Sequence, residues 1–360
     1  MHKKLFIPGP VDVSPEVLEA MRLPMIGHRT KEYSAIQESI THNLQKLMGT
    51  SNPILLSTSS GSGLMEGSVR SLCNKKTVVF SVGAFGNRWH RMIEANGIST
   101  DLVEIEWGKA VRPELVEQYL STGAYDVATI THNETSTGIM NNLAELSPVF
   151  KKYPDVQWVV DTVSALGGTP IAVDEWGIDV CLTSSQKALG LPPGLALCSV
   201  SQKALDKMPQ VKYRGWYFDL LTLHKSYVEK NFQTPATPAI SLVFALDVQL
   251  QRIFTEGLEN RYQRHRDLSA LVKEWAKEHF SLFPEEAYAS VTLTTIANTL
   301  GFSITAMNAY LGEHGFQISN GYGDLKEKTF RIAHMADRTM EDTQALLDCI
   351  DGYLVKQRMC

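Results

Sequence analysis

Six short runs of β-branched and aliphatic residues occupy the chain between Ile54 and Cys198, each followed by a polar or glycine-bearing segment. They are Ile54-Leu55-Leu56, Thr77-Val78-Val79-Phe80, Val127-Ala128-Thr129-Ile130, Trp158-Val159-Val160, Val180-Cys181-Leu182 and Ala196-Leu197-Cys198. A strand that is apolar throughout has to be covered on both faces, and strands that alternate with helices pair in parallel. The pattern therefore predicts an α/β domain built on a mostly parallel sheet. Ligands of such sheets bind at the carboxyl ends of the strands.

The sequence on either side has a different character. Lys3 to Ser14 contains Pro8-Gly9-Pro10 and runs into Pro15, so it is expected to be extended. Tyr33, Ile36, Ile40, Leu44 and Leu47 recur at helical spacing. A Pro/Thr break, Gln233-Thr234-Pro235-Ala236-Thr237-Pro238, precedes a long helical region with Leu268, Leu271, Val272, Trp275, Ala276 and His279 on one face. Strands follow at Ser290 to Ile296 and Phe330 to Ile332, with helices near Thr305 to Glu313 and around Leu346 to Leu354. At 360 residues the chain is too long for one ordinary core. The expected division is an N-terminal arm over 1–15, a large domain over 16–245 and a C-terminal α+β domain over 246–360.

Charge excludes some roles. Lys+Arg 34 against Asp+Glu 39 leaves a net charge of −5, without the basic surplus that nucleic-acid or membrane-surface binding needs. No apolar stretch approaches the length of a membrane span. The five cysteines (Cys73, Cys181, Cys198, Cys349, Cys360) are scattered and form no C-x-x-C. Reduced cytoplasmic thiols are expected, with no disulfide framework and no structural metal.

Five segments after the predicted strands carry candidate chemistry. Ser57-Thr58-Ser59-Ser60-Gly61-Ser62-Gly63 opens a helix and would offer free N–H groups to an anion; a capped turn is the plain alternative. A dinucleotide fold is disfavoured, because the next strand closes on Ser81-Val82-Gly83 with no acid. Phe85, between Gly83 and Gly86, is placed either to stack on a flat ring or to anchor the turn. His132-Asn133-Glu134-Thr135-Ser136-Thr137-Gly138 reads as a hydrogen-bonding wall. Asp161 terminates an apolar strand and needs a cation or strong donor as partner. Lys187 lies in Ser184-Ser185-Gln186-Lys187-Ala188, ahead of a Pro192-Pro193-Gly194 turn, where burial would lower its pKa toward that of a reactive amine. Twenty-six residues, about one βαβ step, separate Asp161 from Lys187. An anion cradle, a stacking aromatic, a polar wall, a terminal Asp and a pocket Lys are together what a pyridoxal phosphate site requires.

In these segments the chain resembles the class V aminotransferases of fold type I, in particular the alanine–glyoxylate and serine–pyruvate group. Pro8-Gly9-Pro10-Val11, Gly27-His28-Arg29-Thr30-Lys31-Glu32-Tyr33 and Arg331-Ile332-Ala333-His334-Met335 extend the likeness to nearly the whole chain. The resemblance implies a seven-stranded-type, mostly parallel sheet in the large domain and a ping-pong transamination. Lys187 would be the Schiff-base lysine and proton carrier, and Asp161 the partner of the pyridinium nitrogen. Phe85 would stack on the ring and Thr135 would lie at its edge. Ser62, Gly63 and Gln186 would hold the phosphate, joined by Thr234 or Thr237 of a second subunit in a homodimer with shared sites. Arg331 would take the substrate carboxylate, with Gly9 covering the site and His28 and Arg29 near the substrate. Two glycines usual near Arg331 are Ala333 and Ala336 here, which should tighten the backbone.

Neighbouring activities fit less well. A cysteine desulfurase needs a cysteine ahead of the arginine, and Gly301 to Arg331 has none. Phosphoserine aminotransferases carry a segment similar to His28-Arg29-Thr30-Lys31-Glu32-Tyr33 and stand as the alternative. A non-catalytic member of the fold is disfavoured by the retention of Lys187, Asp161 and Arg331 together.

Overall fold

The computed structural model describes residues 2–359, with side chains described as far as residue 357; Cys360 lies outside them. Fourteen strands occur among the described residues. They are β1 (Lys4–Phe6), β2 (Ile54–Ser57), β3 (Thr77–Ser81), β4 (Thr100–Glu104), β5 (Val127–Thr131), β6 (Asn133–Glu134), β7 (Ile139–Met140), β8 (Gln157–Asp161), β9 (Val180–Ser184), β10 (Ala196–Val200), β11 (Ser281–Leu282), β12 (Leu293–Ala297), β13 (Phe316–Asn320) and β14 (Thr329–Ala333).

The main sheet has seven strands in the order β2-β10-β9-β8-β5-β3-β4. Only β10 runs against its neighbours, β9 and β2. The contacts β3·β4, β3·β5, β5·β8 and β8·β9 are parallel. All six predicted runs are strands of this sheet. Their alternation explains the double covering: Ile54, Leu56, Val78 and Phe80 enter one apolar cluster, and Leu55 and Val79 enter the other. The seventh strand, β4, was not anticipated. It holds an edge, its residues are mostly part-exposed, and Thr100, Asp101 and Glu104 give it no apolar run.

Three helices after the arm matter for the site. Helix α1 (Pro15–Ala20) is capped by Ser14. Helix α2 (Lys31–Met48) begins at Thr30, whose hydroxyl accepts from Tyr33 N, and ends on Gly49 at φ 60; Tyr33, Ile40, Leu44 and Leu47 are its buried stripe. Helix α3 (Gly61–Leu72) follows β2 without a side-chain cap at Ser60.

The second sheet, β1-β13-β14-β12-β11, belongs to the C-terminal part. Its parallel edge strand is β1, paired as Lys4 with Phe316 and Phe6 with Ile318. Lys4–Phe6 of the expected arm thus extends this sheet by pairing with a strand more than 300 residues along the chain. The boundary expected after residue 245 falls inside the helix Ile240–Glu256, most of whose apolar face packs in the large cluster. The next helix, Leu258–His279, sends Val272, Trp275 and Ala276 to the second-sheet core. Gly257, at φ 84, joins the two helices. No described helix is long and apolar enough to cross a membrane.

Candidate active site

The carboxyl ends of β2, β3, β5, β8 and β9 converge on one edge of the main sheet. There the sequence places Ser57–Gly63, Gly83–Gly86, His132–Gly138, Asp161 and Lys187.

Lys187 is held by its turn. Ser185 N donates to Leu195 O at 2.9 Å, Leu191 N to Ser185 O at 3.0 Å and Gly190 N to Lys187 O at 2.9 Å. The Ser185 hydroxyl donates to Pro192 O at 2.7 Å, which ties in the Pro192-Pro193-Gly194 segment. The arm lies over the amine: Val11 N donates to Gln186 O, and Lys187 Nζ donates to Pro8 O. Gly9, at φ +109, is required here, since a Cβ would stand 2.9 Å from Lys187 Nζ. Burial, then the nearby Arg331, lower the Lys187 pKa from 10.5 to about 8, against the opposing pull of Asp161.

Asp161 ends β8, next to β9 in the sheet. Its Oδ1 accepts from Val163 N at 2.8 Å. Burial raises its pKa from 3.8 to about 7, although that bond and the Lys187 charge work the other way. A carboxyl this poorly served would gain from a cation brought against it.

The polar wall is a small buried hairpin, β6 with β7. Its central member is Glu134, whose carboxylate accepts from Phe85 N (3.0 Å), Gly86 N (3.2 Å), Ser136 N (3.0 Å) and Ser136 Oγ (2.6 Å). Glu134 thereby caps helix α4 (Ala84–Ala95), which has no cap of its own. Sequence reasoning placed Glu134 in the wall and missed this service to α4. Phe85, in the first turn of α4, has its ring centroid 5.6 Å from that of Tyr322.

Arg331 arrives from β14 of the second sheet and is 7% exposed. Its Nε and Nη2 donate to Asn320 O at 3.1 and 3.0 Å, and its Nη1 to Thr135 O at 3.1 Å. A guanidinium has five N–H groups. One on each terminal nitrogen is left, the pair a carboxylate binds in a fork. Burial lowers its pKa to about 10, which leaves it cationic at neutral pH.

Arg261 was not singled out by the sequence. It is 1% exposed, donates to Gly167 O (2.7 Å) and Ala188 O (3.1 Å), and pairs with Glu256 and Asp337 at 2.9 and 3.1 Å. It ties the segment after Asp161 to the residue after Lys187.

Four expected residues lie elsewhere in the chain. Arg29 donates to the carbonyls of Thr234 and Pro235, the latter at 2.9 Å, and His28 neighbours it. The Thr234 hydroxyl donates to Ala236 O at 2.7 Å. Thr234 and Thr237 line a cleft with Ser57, Thr58, Trp216 and Tyr217, and neither Lys187 nor Asp161 takes part in it.

The site's spare polar atoms fit pyridoxal phosphate. Ser184 Oγ, a hydroxyl able to donate, is buried three residues before Lys187 with no hydrogen-bond partner, a state that a bound acceptor would relieve; Gln186 Oε1 is also without a partner, but it accepts, so only the amide NH2 of Gln186 could serve a phosphate. Ser62 and Gly63 stand half-buried in the first turn of α3, where Ser60 offers no side-chain cap and Gly63 N donates to Ser60 O at 3.0 Å. A Cβ at Gly63 would meet the Phe218 ring at 2.7 Å. At Ala336 the usual glycine backbone persists: the alanine adopts φ 63, and its methyl joins Val11, Ala188, Leu293 and Met335 in a small cluster.

Comparison with known proteins shows the family. Residues 17–346 match the family described as Aminotransferase class-V. An uncharacterised aminotransferase of Methanocaldococcus jannaschii is 38% identical, with 99% of this chain and 95% of that protein covered. Alanine–glyoxylate aminotransferase 1 of Saccharomyces cerevisiae is 30% identical over 92% of this chain and 91% of its own. Other relatives are named for serine–glyoxylate and L-aspartate–glyoxylate transfer. Among solved structures, an alanine–glyoxylate aminotransferase from Nostoc sp. superposes with a TM-score of 0.92 at 29% identity, covering 98% of this chain and 96% of that one.

Proposed function

The chain belongs to the class V aminotransferases, which use pyridoxal phosphate, and on that premise we propose that it moves the amino group of a small amino acid, serine or alanine, to glyoxylate or pyruvate. The observation that carries the reading is the convergence of Lys187, Asp161 and Arg331 on one site, two from the main sheet and one from the second. Relatives named for glyoxylate transfer support the acceptor, and they favour it over phosphoserine chemistry.

Bound pyridoxal phosphate supplies the aldehyde that accepts the amino group and the ring that stores the electrons released at the substrate Cα. The rest is the work of this chain. Lys187, with a pKa of about 8, is partly neutral at physiological pH and able to take a proton from Cα and return it. Asp161 would serve as the buried counter-ion of a protonated ring nitrogen, which in turn would relieve the carboxylate of its uncompensated burial. Arg331 takes the α-carboxylate with its two spare N–H groups and so fixes the orientation of Cα. Phe85 would stack on the ring, Thr135 would lie at its edge, and Ser62, Gly63 and Gln186 would hold the phosphate. Pro8 and Gly9 cover the amine and keep water from it.

The working unit is a homodimer in which Thr234 or Thr237 completes the phosphate site of the partner subunit, and His28 and Arg29 are assigned to the substrate. Tyr213, Trp216 and Tyr217, exposed by 93%, 59% and 44%, supply an apolar surface of the kind that association covers. The unpaired Cys73, Cys181, Cys198 and Cys349 suit a cytoplasmic protein. Steady-state kinetics decides the substrate class. Serine or alanine with glyoxylate should exceed phosphoserine with 2-oxoglutarate in kcat/KM; the reverse order refutes the assignment.

A further inference from the structure

Arg331 belongs to one sheet and Asp161 and Lys187 to the other, so their separation depends on what joins the sheets beside the site. The β6–β7 hairpin does so along its length. In its loop, Thr135 O accepts from Arg331 Nη1. At the end of that loop Ser290 N donates to Gly138 O at 2.8 Å, and Ile139 bridges to Ala289. At its root stands Asn133, 3% exposed.

The Asn133 amide nitrogen donates to Thr292 Oγ1 at 2.8 Å and to Ser164 Oγ at 3.0 Å. The Thr292 hydroxyl donates in turn to Ser164 O at 2.8 Å, and the Ser164 hydroxyl to Asn133 O at 2.9 Å. Every N–H and O–H of the three side chains is thereby used. Asn133 Oδ1 is buried without a partner among the described residues, so the amide bears an unmet acceptor while its two donors are kept in the ring.

The ring sits where both walls of the site begin. Ser164 follows Asp161 by three residues, and Val163 between them donates its N–H to the Asp161 carboxylate. Thr292 leads directly into β12, where Thr295 stands opposite Arg331 in the pairing with β14. Just beyond β14, His334 N donates to Thr292 O at 3.0 Å. The threonine methyl is packed as well, since a Cβ on Gly168 would stand 2.5 Å from Thr292 Cγ2. In a site this dry a deleted donor is not replaced by bulk water.

We propose that Asn133 is a positioning residue: through Thr292 and Ser164 it fixes the strand that carries Arg331 against the loop that follows Asp161, and so sets the distance between the carboxylate grip and the lysine. The proposal rests on the aminotransferase reading and deepens it. Alanine offers no second polar group to correct its fit, so it is aligned only as well as its carboxylate is placed. The joint has an electrostatic trace: burial first and Arg331 second lower the Lys187 pKa to about 8. A looser joint lets Arg331 recede, and the lysine then holds its proton to higher pH.

The test is Asn133→Ala, which removes both donors. In the pyridoxal phosphate-loaded enzyme, kcat/KM for alanine with glyoxylate should fall by roughly 10- to 100-fold, the scale of an ångström-size misplacement. In the cofactor-free chain, the pH midpoint of pyridoxal phosphate uptake should move upward, as Arg331→Gln moves it. Combined with Arg331→Gln, Asn133→Ala should add no further shift, because the charge through which it acts is gone. Thr292→Val deletes one hydroxyl of the ring at nearly constant shape and should lower kcat/KM by about 3- to 10-fold; it stands in if Asn133→Ala does not fold. Thr292→Ser keeps the hydroxyl and should keep the wild-type midpoint. An unmoved midpoint in the variant measured, or a shift that persists in full on top of Arg331→Gln, overturns the proposal and leaves the aminotransferase reading intact. A wild type that turns over neither alanine nor serine with glyoxylate overturns the substrate reading instead, and the midpoint then decides the proposal by itself.

Discussion

On the main-sheet side of the site, Asp161 and Lys187 follow adjacent parallel strands, and their positions are fixed by the register of β8 against β9. On the opposite side, Arg331 comes from an antiparallel strand of another sheet and is anchored by two backbone carbonyls, Asn320 O and Thr135 O. The first side is where buried charge is poorly compensated: the aspartate is pushed up to about 7 and the lysine down to about 8. The second side keeps its cation charged and aims its spare donors outward. One wall is built to perturb proton affinities and the other to grip an anion, so damage to them should appear in different kinetic parameters.

The sharpest way to break that contrast is a pair of substitutions. Asp161→Asn should lower kcat by roughly 10²- to 10⁴-fold, the range for loss of a positioned acid–base or electrostatic partner, with little change in KM. Arg331→Lys keeps the charge and loses the fork, so it should raise KM by roughly 10- to 100-fold and spare more of kcat. If both variants change the same parameter, the two walls are not functionally distinct.

The joint between the walls is testable through Arg261. Its replacement by Met removes one partner of a buried ion cluster and leaves Gly167 O and Ala188 O without their donor. A loss of about 3–5 kcal/mol is expected in chemical denaturation. A loss below about 1 kcal/mol would show that the Lys187 turn is held by its own loop alone.

Titration links the walls more gently. In the chain without cofactor, uptake of pyridoxal phosphate should rise with pH until Lys187 is neutral and level off above about 8. Arg331→Gln removes a charge that lowers this pKa and should move the midpoint upward, whereas Arg331→Lys should not. Stability follows by linkage. The folded lysine loses its proton near 8 and the unfolded one near 10.5, so its contribution to stability rises with pH across that window. Asp161 has the opposite sign, and stability from it falls as pH rises from 3.8 to about 7.

The smallest effect belongs to Ala336→Gly. The left-handed alanine costs about 1–2 kcal/mol. Against that, glycine adds about 0.4–1 kcal/mol of unfolded-chain entropy, and loss of the methyl from its cluster costs about 0.8 kcal/mol. The terms nearly cancel, and a change within about 1 kcal/mol in either direction is expected. The filled glycine therefore does not tighten the Arg331 region through its backbone, which keeps the glycine conformation.

Six strands of the main sheet were legible because each is apolar along its length and closes on a polar segment. Lys187 and Asp161 were legible for the same reason, since strand ends locate them without any tertiary knowledge. β4 was hidden because an edge strand needs no apolar run. β1 was hidden because its partner lies beyond residue 315, and local pattern carries no information about such pairing. Glu134 and Arg261 are common residue types whose importance arises only when α4 and the Leu258–His279 helix are brought to the sheet edge.

The central claim is that Lys187 carries the cofactor, and its most direct test is to locate the bond. The purified holoprotein should absorb in the visible, lose that band on borohydride reduction, and after proteolysis show the phosphopyridoxyl mass on the peptide at Lys187. Label on another lysine, or a protein that takes up no pyridoxal phosphate at all, would contradict the account.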